Sequence, residues 1–295
     1  MPPPTAVRRR GEENGGRNGR NGGAFFGVGS TNKSEGGHGG HALLNECVVA
    51  SEDEYDICVD TWNFTTRRRE KSTFYFLTHA HQDHLRGARE DLFDDDDQQG
   101  MVYCTETTKM LLVRKFPRLE SRVKILEYDS VEMVRVASRD ATKKEKEDAR
   151  FNVYCLDAGH CPGSAMFVFE GAFGKVLHTG DFRREDWCGS LPTPLPKVLD
   201  NRKMPPVDVL YLDNTYNNPE YDHPPRTVAL ERIVKLVMEI EPERPVILLL
   251  DSLGKEDVVI AVSQATKSKV FLNKDRYNDW IKLGFGKEYV CNRLG

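Results

Sequence analysis

The chain has 295 residues, with 42 Lys+Arg against 46 Asp+Glu for a formal net charge of −4, and half of its 24 Gly fall in the first 40 positions. A Gly/Asn/Arg-rich head cannot bury a core, so residues 1–44 read as a disordered tail and roughly 250 residues are left to fold. The acidic body excludes a protein that coats nucleic acid through bulk charge, no stretch approaches the ~20 apolar residues of a membrane helix, and the Met-Pro-Pro-Pro start lacks the apolar region of a secretory signal.

Within the tail, His38, His41 and the arginines at 8–10 read first as solvated groups. From Leu44 the pattern turns to short β-branched and aromatic runs. Ile57–Val59 and Thr73–Leu77 read as buried strands and Val102–Cys104 as another, followed by an amphipathic helix over 106–115. The four aspartates 94–97 read as a solvated loop, since they lack the spaced ligands of a calcium loop. Val123–Leu126 and Val131–Val136 read as a strand pair, and the charged stretch 140–150 as an exposed loop. Phe151–Leu156, Met166–Phe169 and Lys175–His178 are three further strands. The Pro-rich segment 191–206 reads as a linker or long surface loop. After it the pattern alternates: strand at Val209–Leu212, helix at Arg226–Glu239, strand at Val246–Leu250, helix at Lys255–Gln264, strand at Val270–Leu272 and helix at Lys274–Leu283. The seven Cys are scattered without a C-x-x-C pair, which reads as reduced thiols in an intracellular protein.

The chemistry concentrates in Leu77-Thr-His-Ala-His-Gln-Asp-His84, directly after an apolar strand. Alternation puts His79 and His81 on one side of an extended segment, and Asp83 and His84 turn toward a second point. A single buried His is usually a satisfied core residue. Four ligand-type residues in one loop would each need a separate partner, and imidazole with carboxylate suits Zn²⁺ or a neighbouring metal. Asp157-Ala-Gly-His-Cys-Pro-Gly-Ser164 presents His160 on a second loop, and Leu177-His-Thr-Gly-Asp-Phe-Arg183 presents Asp181 on a third. Asp181 has two oxygens and can bridge. The expected arrangement is one site of His79, His81, His160 and Asp181 and another of Asp83, His84 and Asp181, holding one or two Zn²⁺. Two metals ~3.5–4 Å apart clamp the attacking and leaving oxygens of an in-line displacement.

These three segments, with Leu210-Tyr-Leu-Asp-Asn-Thr-Tyr216 and Ser252-Leu-Gly-Lys-Glu256, resemble the metallo-β-lactamase/β-CASP DNA nucleases of cross-link and double-strand-break repair, and lean toward the 5′-exonuclease branch. The resemblance runs from about Ile57 to the C-terminus. It implies an α/β fold: a metallo-β-lactamase αββα sandwich over 45–218 and a partial β-CASP α/β region over 219–295. It also implies a nuclear, zinc-dependent 5′→3′ exodeoxyribonuclease acting on DNA 5′ ends, single-stranded or damaged, with no membrane partner. An RNA-processing β-CASP nuclease, or an impaired product acting only as a binding fragment, is the alternative. The resemblance adds Asp60, in Val59-Asp-Thr-Trp62, as a carboxylate behind a ligand imidazole, with Asp83, His84 and Asp181 as its catalytic companions and Asp213 in support. His178 matches no ligand position and reads as structural.

For DNA contact the candidates are the arginines at 67–69, Lys71, Arg86, Arg183 and Arg184, each alone equally a solvated charge. Ser252 and Lys255 sit before a helix whose backbone N–H groups suit a phosphate, or form an ordinary strand-to-helix turn. In the family the chain returns from the β-CASP region with a further Asp-His-Ser-type segment. Here the only His after Asp213 is His223, in an unmatched turn, so the sequence reads as truncated at its C-terminus.

Overall fold

The computed structural model describes residues 25–29, 49–52, 55–62, 72–93, 100–136, 149–183, 205–241 and 243–293. Two sheets carry the fold. The first contains β2 (Ala50–Ser51), β3 (Tyr55–Val59), β4 (Ser72–Phe76), β5 (Met101–Cys104) and β6 (Val123–Ile125), side by side in that order. β3 through β6 are parallel. All five residues of β4 are buried, as expected of an interior parallel strand covered on both faces. Its alternation divides the core. Phe74 and Phe76 point to the second sheet, whereas Tyr75 joins Trp62, Leu112 and Leu119 on the side of α1 (Glu106–Lys115). Thr105 caps that helix by accepting from Thr108 N–H at 3.3 Å.

The second sheet has the order β1 (Phe25–Gly29), β11 (Val209–Asp213), β10 (Gly174–His178), β9 (Ala165–Gly171), β8 (Ala149–Asp157) and β7 (Ser130–Val136). Its inner face supplies Val134, Phe151, Val153, Phe167 and Phe169 to the shared core. Phe76 sits edge-on to Phe169 at 4.7 Å and stacks on Tyr103 at 4.8 Å. Such aromatic pairs add about 0.5–1.5 kcal/mol each beyond their area. The result is an α/β sandwich, as the sequence pattern predicts.

Beyond it lie α2 (Arg226–Met238), α3 (Glu256–Thr266), β12 (Val270–Phe271), α4 (Lys274–Lys282) and β13 (Val290–Cys291). Val259, Leu272, Trp280 and Val290 form a separate small core there. No helix among the described residues is long and apolar enough to cross a membrane.

Three expectations change. Residues 25–29, placed in the tail by composition, form an edge strand antiparallel to β11, with Phe25 opposite Asp213. The expected pair at 123–126 and 131–136 consists of two strands that belong to different sheets. Leu126 N–H still bonds Cys104 O, whereas Asp129, at φ +57, already bonds Cys155 O, so the left-handed turn carries the chain across the sandwich. Val246–Leu250 joins no sheet among the described residues, and Ile247 and Leu249 are 81% and 92% exposed. An apolar run is a strand only where a neighbouring strand takes its N–H and C=O groups; among the described residues no strand pairs with this run, and the Leu250 carbonyl accepts Arg276 Nη1–H at 3.4 Å instead. The tail histidines, the aspartates 94–97, most of the 140–150 loop and most of the 191–206 linker lie outside the described residues.

The topology also places the site. β8, β10 and β11 run in one direction, so their C-terminal ends share one edge. β3 and β4 end beside them, joined by the bond from Ala165 N–H to Thr78 O at 2.9 Å. The loops after five strands therefore meet at one end of the sandwich.

Candidate metal centre

Asp60 follows β3 in the left-handed region, at φ +51, a conformation that Asp tolerates better than most residues. There its Oδ1 accepts Thr78 N–H at 2.8 Å, and its Oδ2 accepts the Thr78 hydroxyl at 2.6 Å and His84 Nδ1–H at 2.7 Å. Trp62 Nε1–H donates to His84 O at 2.7 Å. The short loop after β4 is thus fastened to the end of β3 before any ligand atom is considered.

These bonds fix tautomers. The single Thr78 hydroxyl proton goes to Asp60, so Thr78 Oγ1 accepts from His79 Nδ1–H at 3.0 Å and leaves His79 Nε2 bare. The Leu253 carbonyl can only accept, so His81 Nε2 carries the proton at 3.1 Å and Nδ1 is bare in the neutral ring. These two nitrogens face each other at 2.9 Å, with His160 Nε2 3.2 Å from His81 Nδ1. Asp181 Oδ2 lies 3.5 Å from His160 Nε2 and 3.8 Å from His79 Nε2. Its other oxygen lies 3.3 Å from His84 Nε2, and Asp83 Oδ2 lies 3.8 Å from the same nitrogen.

Gly180 makes the approach of Asp181 possible. At φ +53, a Cβ on it would stand 2.8 Å from Thr78 side-chain carbons, so only glycine lets this loop lie against the Thr78 anchor.

The electrostatics follow the same division. Burial, reinforced by His84, pushes His79 down to about 2, although Asp60 and Asp181 pull the other way. Burial likewise takes His160 down to about 4. Both rings are therefore neutral, with lone pairs to offer. Burial also opposes charge on His84, but Asp60 and Asp181 outweigh it and raise that ring to about 11. Burial raises Asp181 as well, and the hydrogen bond and charge of His84 more than compensate, lowering it to about 2.

Lone pairs aimed at each other across 2.9 Å repel unless positive charge lies between them. A tetrahedron with Zn–N bonds of 2.0–2.1 Å has edges of roughly 3.3 Å, within the 2.9–3.8 Å separations among His79, His81, His160 and Asp181. The donor set thus fits a divalent ion, and the two oxygens of Asp181 face two such points.

The other candidates fare differently. Asp213 Oδ1 accepts Thr215 N–H and its hydroxyl at 3.0 and 2.6 Å, which makes it a turn cap at the end of β11. Arg183 bonds Ala158 O through its backbone and Pro224 O through its guanidinium at 3.4 Å, on the rim beside Asp181. Arg86 is exposed in the loop after β4, and Ser252 is exposed. Lys255 is half-buried and near enough to lower His160 and Cys161 through its charge. Arg184, the arginines at 67–69 and Lys71 lie outside the described residues. His178 is a turn residue: its Nδ1 accepts Gly180 N–H at 3.1 Å and its ring stacks on Tyr211.

Three contributors escape sequence reading. Thr78 is visible inside the His/Asp segment, but its part needs the position of Asp60. Cys161, whose sulfur lies within 4.8 Å of the ligand nitrogens of His79, His81 and His160, is a buried thiol pushed up to about 12, first by burial and then by Glu256. The Leu253 carbonyl lies 172 residues from His81, and no residue-type signal marks a backbone atom.

A family model described as a beta-lactamase superfamily domain matches residues 59–248. The 5′ exonuclease Apollo of Mus musculus is 33% identical over 220 residues, covering 75% of this chain and 36% of that protein. The DNA cross-link repair 1A protein of Mus musculus is 34% identical over 212 residues, or 70% of this chain and 18% of that one. Protein artemis of Gallus gallus is 35% identical over 169 residues, covering 55% and 23% respectively. The chain spans about a third or less of the length of these curated relatives.

Proposed function

The chain belongs to the β-lactamase superfamily, and from that premise we propose that it is a zinc-dependent DNA nuclease of DNA repair that hydrolyses phosphodiester bonds from 5′ ends. The observation that carries the reading is the pair of bare nitrogens, His79 Nε2 and His81 Nδ1, held 2.9 Å apart by bonds on their far sides. The similarity to proteins named as a 5′ exonuclease, a cross-link repair protein and artemis supports DNA as the substrate and the nucleus as the location.

In this proposal His79, His81, His160 and Asp181 hold one ion, and Asp83, His84 and Asp181 hold a second. When bound, such ions supply Lewis acidity toward a phosphoryl oxygen and make water acidic near neutral pH. The protein's own groups do the rest. Asp60 holds His84 by Nδ1 and aims its Nε2 at Asp181. Thr78 keeps the proton of His79 on Nδ1. Asp83, with 63% of its side chain exposed, leaves the second position open to water and to a phosphate. Arg183 and Lys255 flank the cleft and, with Arg184 and Ser252, meet the DNA backbone.

The test uses the purified chain, zinc, and 5′-phosphorylated single-stranded DNA beside matched 5′-hydroxyl DNA and RNA strands. Chelator-sensitive shortening of the 5′-phosphorylated DNA is expected, with one or two zinc ions per chain by elemental analysis. Metal-independent cleavage, or none on any strand, overturns the nuclease reading, and preference for RNA overturns the choice of DNA.

A further inference from the structure

The Ser252-Leu-Gly-Lys-Glu256 segment has the composition of a phosphate-binding turn, but its central N–H is already engaged. Gly254 N–H donates to both oxygens of the Glu256 carboxylate at 3.0 and 2.9 Å, and Glu256 is buried. The other side of the same residue is held as firmly. Gly254 O accepts Arg226 Nη2–H at 2.8 Å, and Arg226 is itself fixed by a two-pronged bond to Asp257 at 2.8 and 3.2 Å. Gly254 also has φ +94, and a Cβ there would stand 2.8 Å from Cys161 Cβ and 3.3 Å from His160 O. The bare Gly254 backbone is therefore pressed against the loop that carries His160.

The residue just before Gly254 supplies the carbonyl that holds the proton of His81 on Nε2. A turn at one end of α3 thus decides which nitrogen of a candidate ligand faces the centre. We infer that Arg226, Glu256 and Gly254 are positioning residues, clamping the Leu253 carbonyl so that His81 presents Nδ1 to the metal. This rests on the metal-centre reading above. The turn before α3 thereby becomes part of the centre, whereas the small core beyond it does not: the sandwich supplies the ligands, and the clamped turn selects the tautomer of one of them. Partners behind a ligating imidazole commonly account for 10–100-fold in metal affinity.

The test measures zinc affinity of the full chain by competition with a chromophoric chelator, together with the ring ¹⁵N shifts of His81 in the metal-free chain. Glu256→Ala and Arg226→Ala are expected to weaken zinc binding about tenfold or more and to move His81 from pure Nε2–H toward a mixture of tautomers. Glu256→Gln should recover most of the affinity, because its amide oxygen still accepts Gly254 N–H. Arg226→Lys should not recover it, since an ammonium cannot hold Asp257 two-pronged while reaching Gly254 O. Val290→Ala, which opens the small core away from the clamp, should lower the melting temperature and leave affinity unchanged. Alanine variants that bind zinc as tightly as the wild type, or a Val290→Ala chain that loses as much affinity as they do, overturn the inference alone. A wild-type chain that takes up no zinc overturns the metal-centre reading and the inference with it.

Discussion

Asp60 shows how much one carboxylate organises. Its two oxygens receive three donors from Thr78 and His84, so it sets the orientation of one imidazole directly and, through the Thr78 hydroxyl, the proton of another. Burial works against its charge, but His84 prevails and lowers it below the usual carboxylate range. Asp60→Asn keeps the shape and replaces one acceptor oxygen with an NH₂ donor. The variant is expected to lose about 10–100-fold in zinc affinity and in any nuclease rate, read by chelator competition and by cleavage of 5′-phosphorylated DNA. Unchanged affinity would mean that His84 needs no support from behind.

At the scale of elements, the ends of β3, β4, β8 and β10 present the candidate ligands and their support, and the turns after them are held to tight tolerances. The turn after β10 is tightly constrained, because Gly180 lies against Thr78. Gly180→Ala adds a Cβ at a positive φ and within 2.8 Å of buried atoms, so it should cost about 1–3 kcal/mol of stability. It should also displace Asp181, lowering the zinc count per chain. Urea unfolding and elemental analysis check the two effects separately. α1 has a different part. It covers the outer face of β4 through Leu112 and contributes no ligand, so exposed positions along it should tolerate substitution within ±0.5 kcal/mol.

For the whole molecule, an ion at the candidate centre would add a fastening between two sheets that already share a core. His79, His81 and His84 come from one sheet, His160 and Asp181 from the other, and Leu253 from beyond both. In the proposed arrangement, an ion held by His79, His81, His160 and Asp181 joins the sheets. Zinc at a hundredfold excess over its Kd should stabilise the fold by about 2.7 kcal/mol, or roughly 5–10 °C at the 2–4 °C per kcal/mol usual for this size. Chelation should abolish that gain in a thermal scan. Because each imidazole must be neutral to bind, protons compete with the ion for its ligands, and the gain should also shrink as the pH falls.

What the sequence determined by itself was local and chemical. The ligand-type residues crowd into three short segments, and strand periodicity places each of those segments directly after an apolar run, so the candidate site and most strands were legible without coordinates. Val246–Leu250 and the pair at 123–136 show the limit. An apolar run specifies a segment able to be a strand, but its hydrogen-bond partner lies elsewhere in the chain and belongs to topology. The same limit hid the roles of Thr78, Gly180 and Leu253. Which proton an imidazole keeps depends on the acceptor behind it, and for His84 and His81 that acceptor is an atom brought near by folding across gaps of 24 and 172 residues. Residue types could name the donors of a metal centre. Only the tertiary structure decided which of their nitrogens face inward, because tautomers are set by contacts through space.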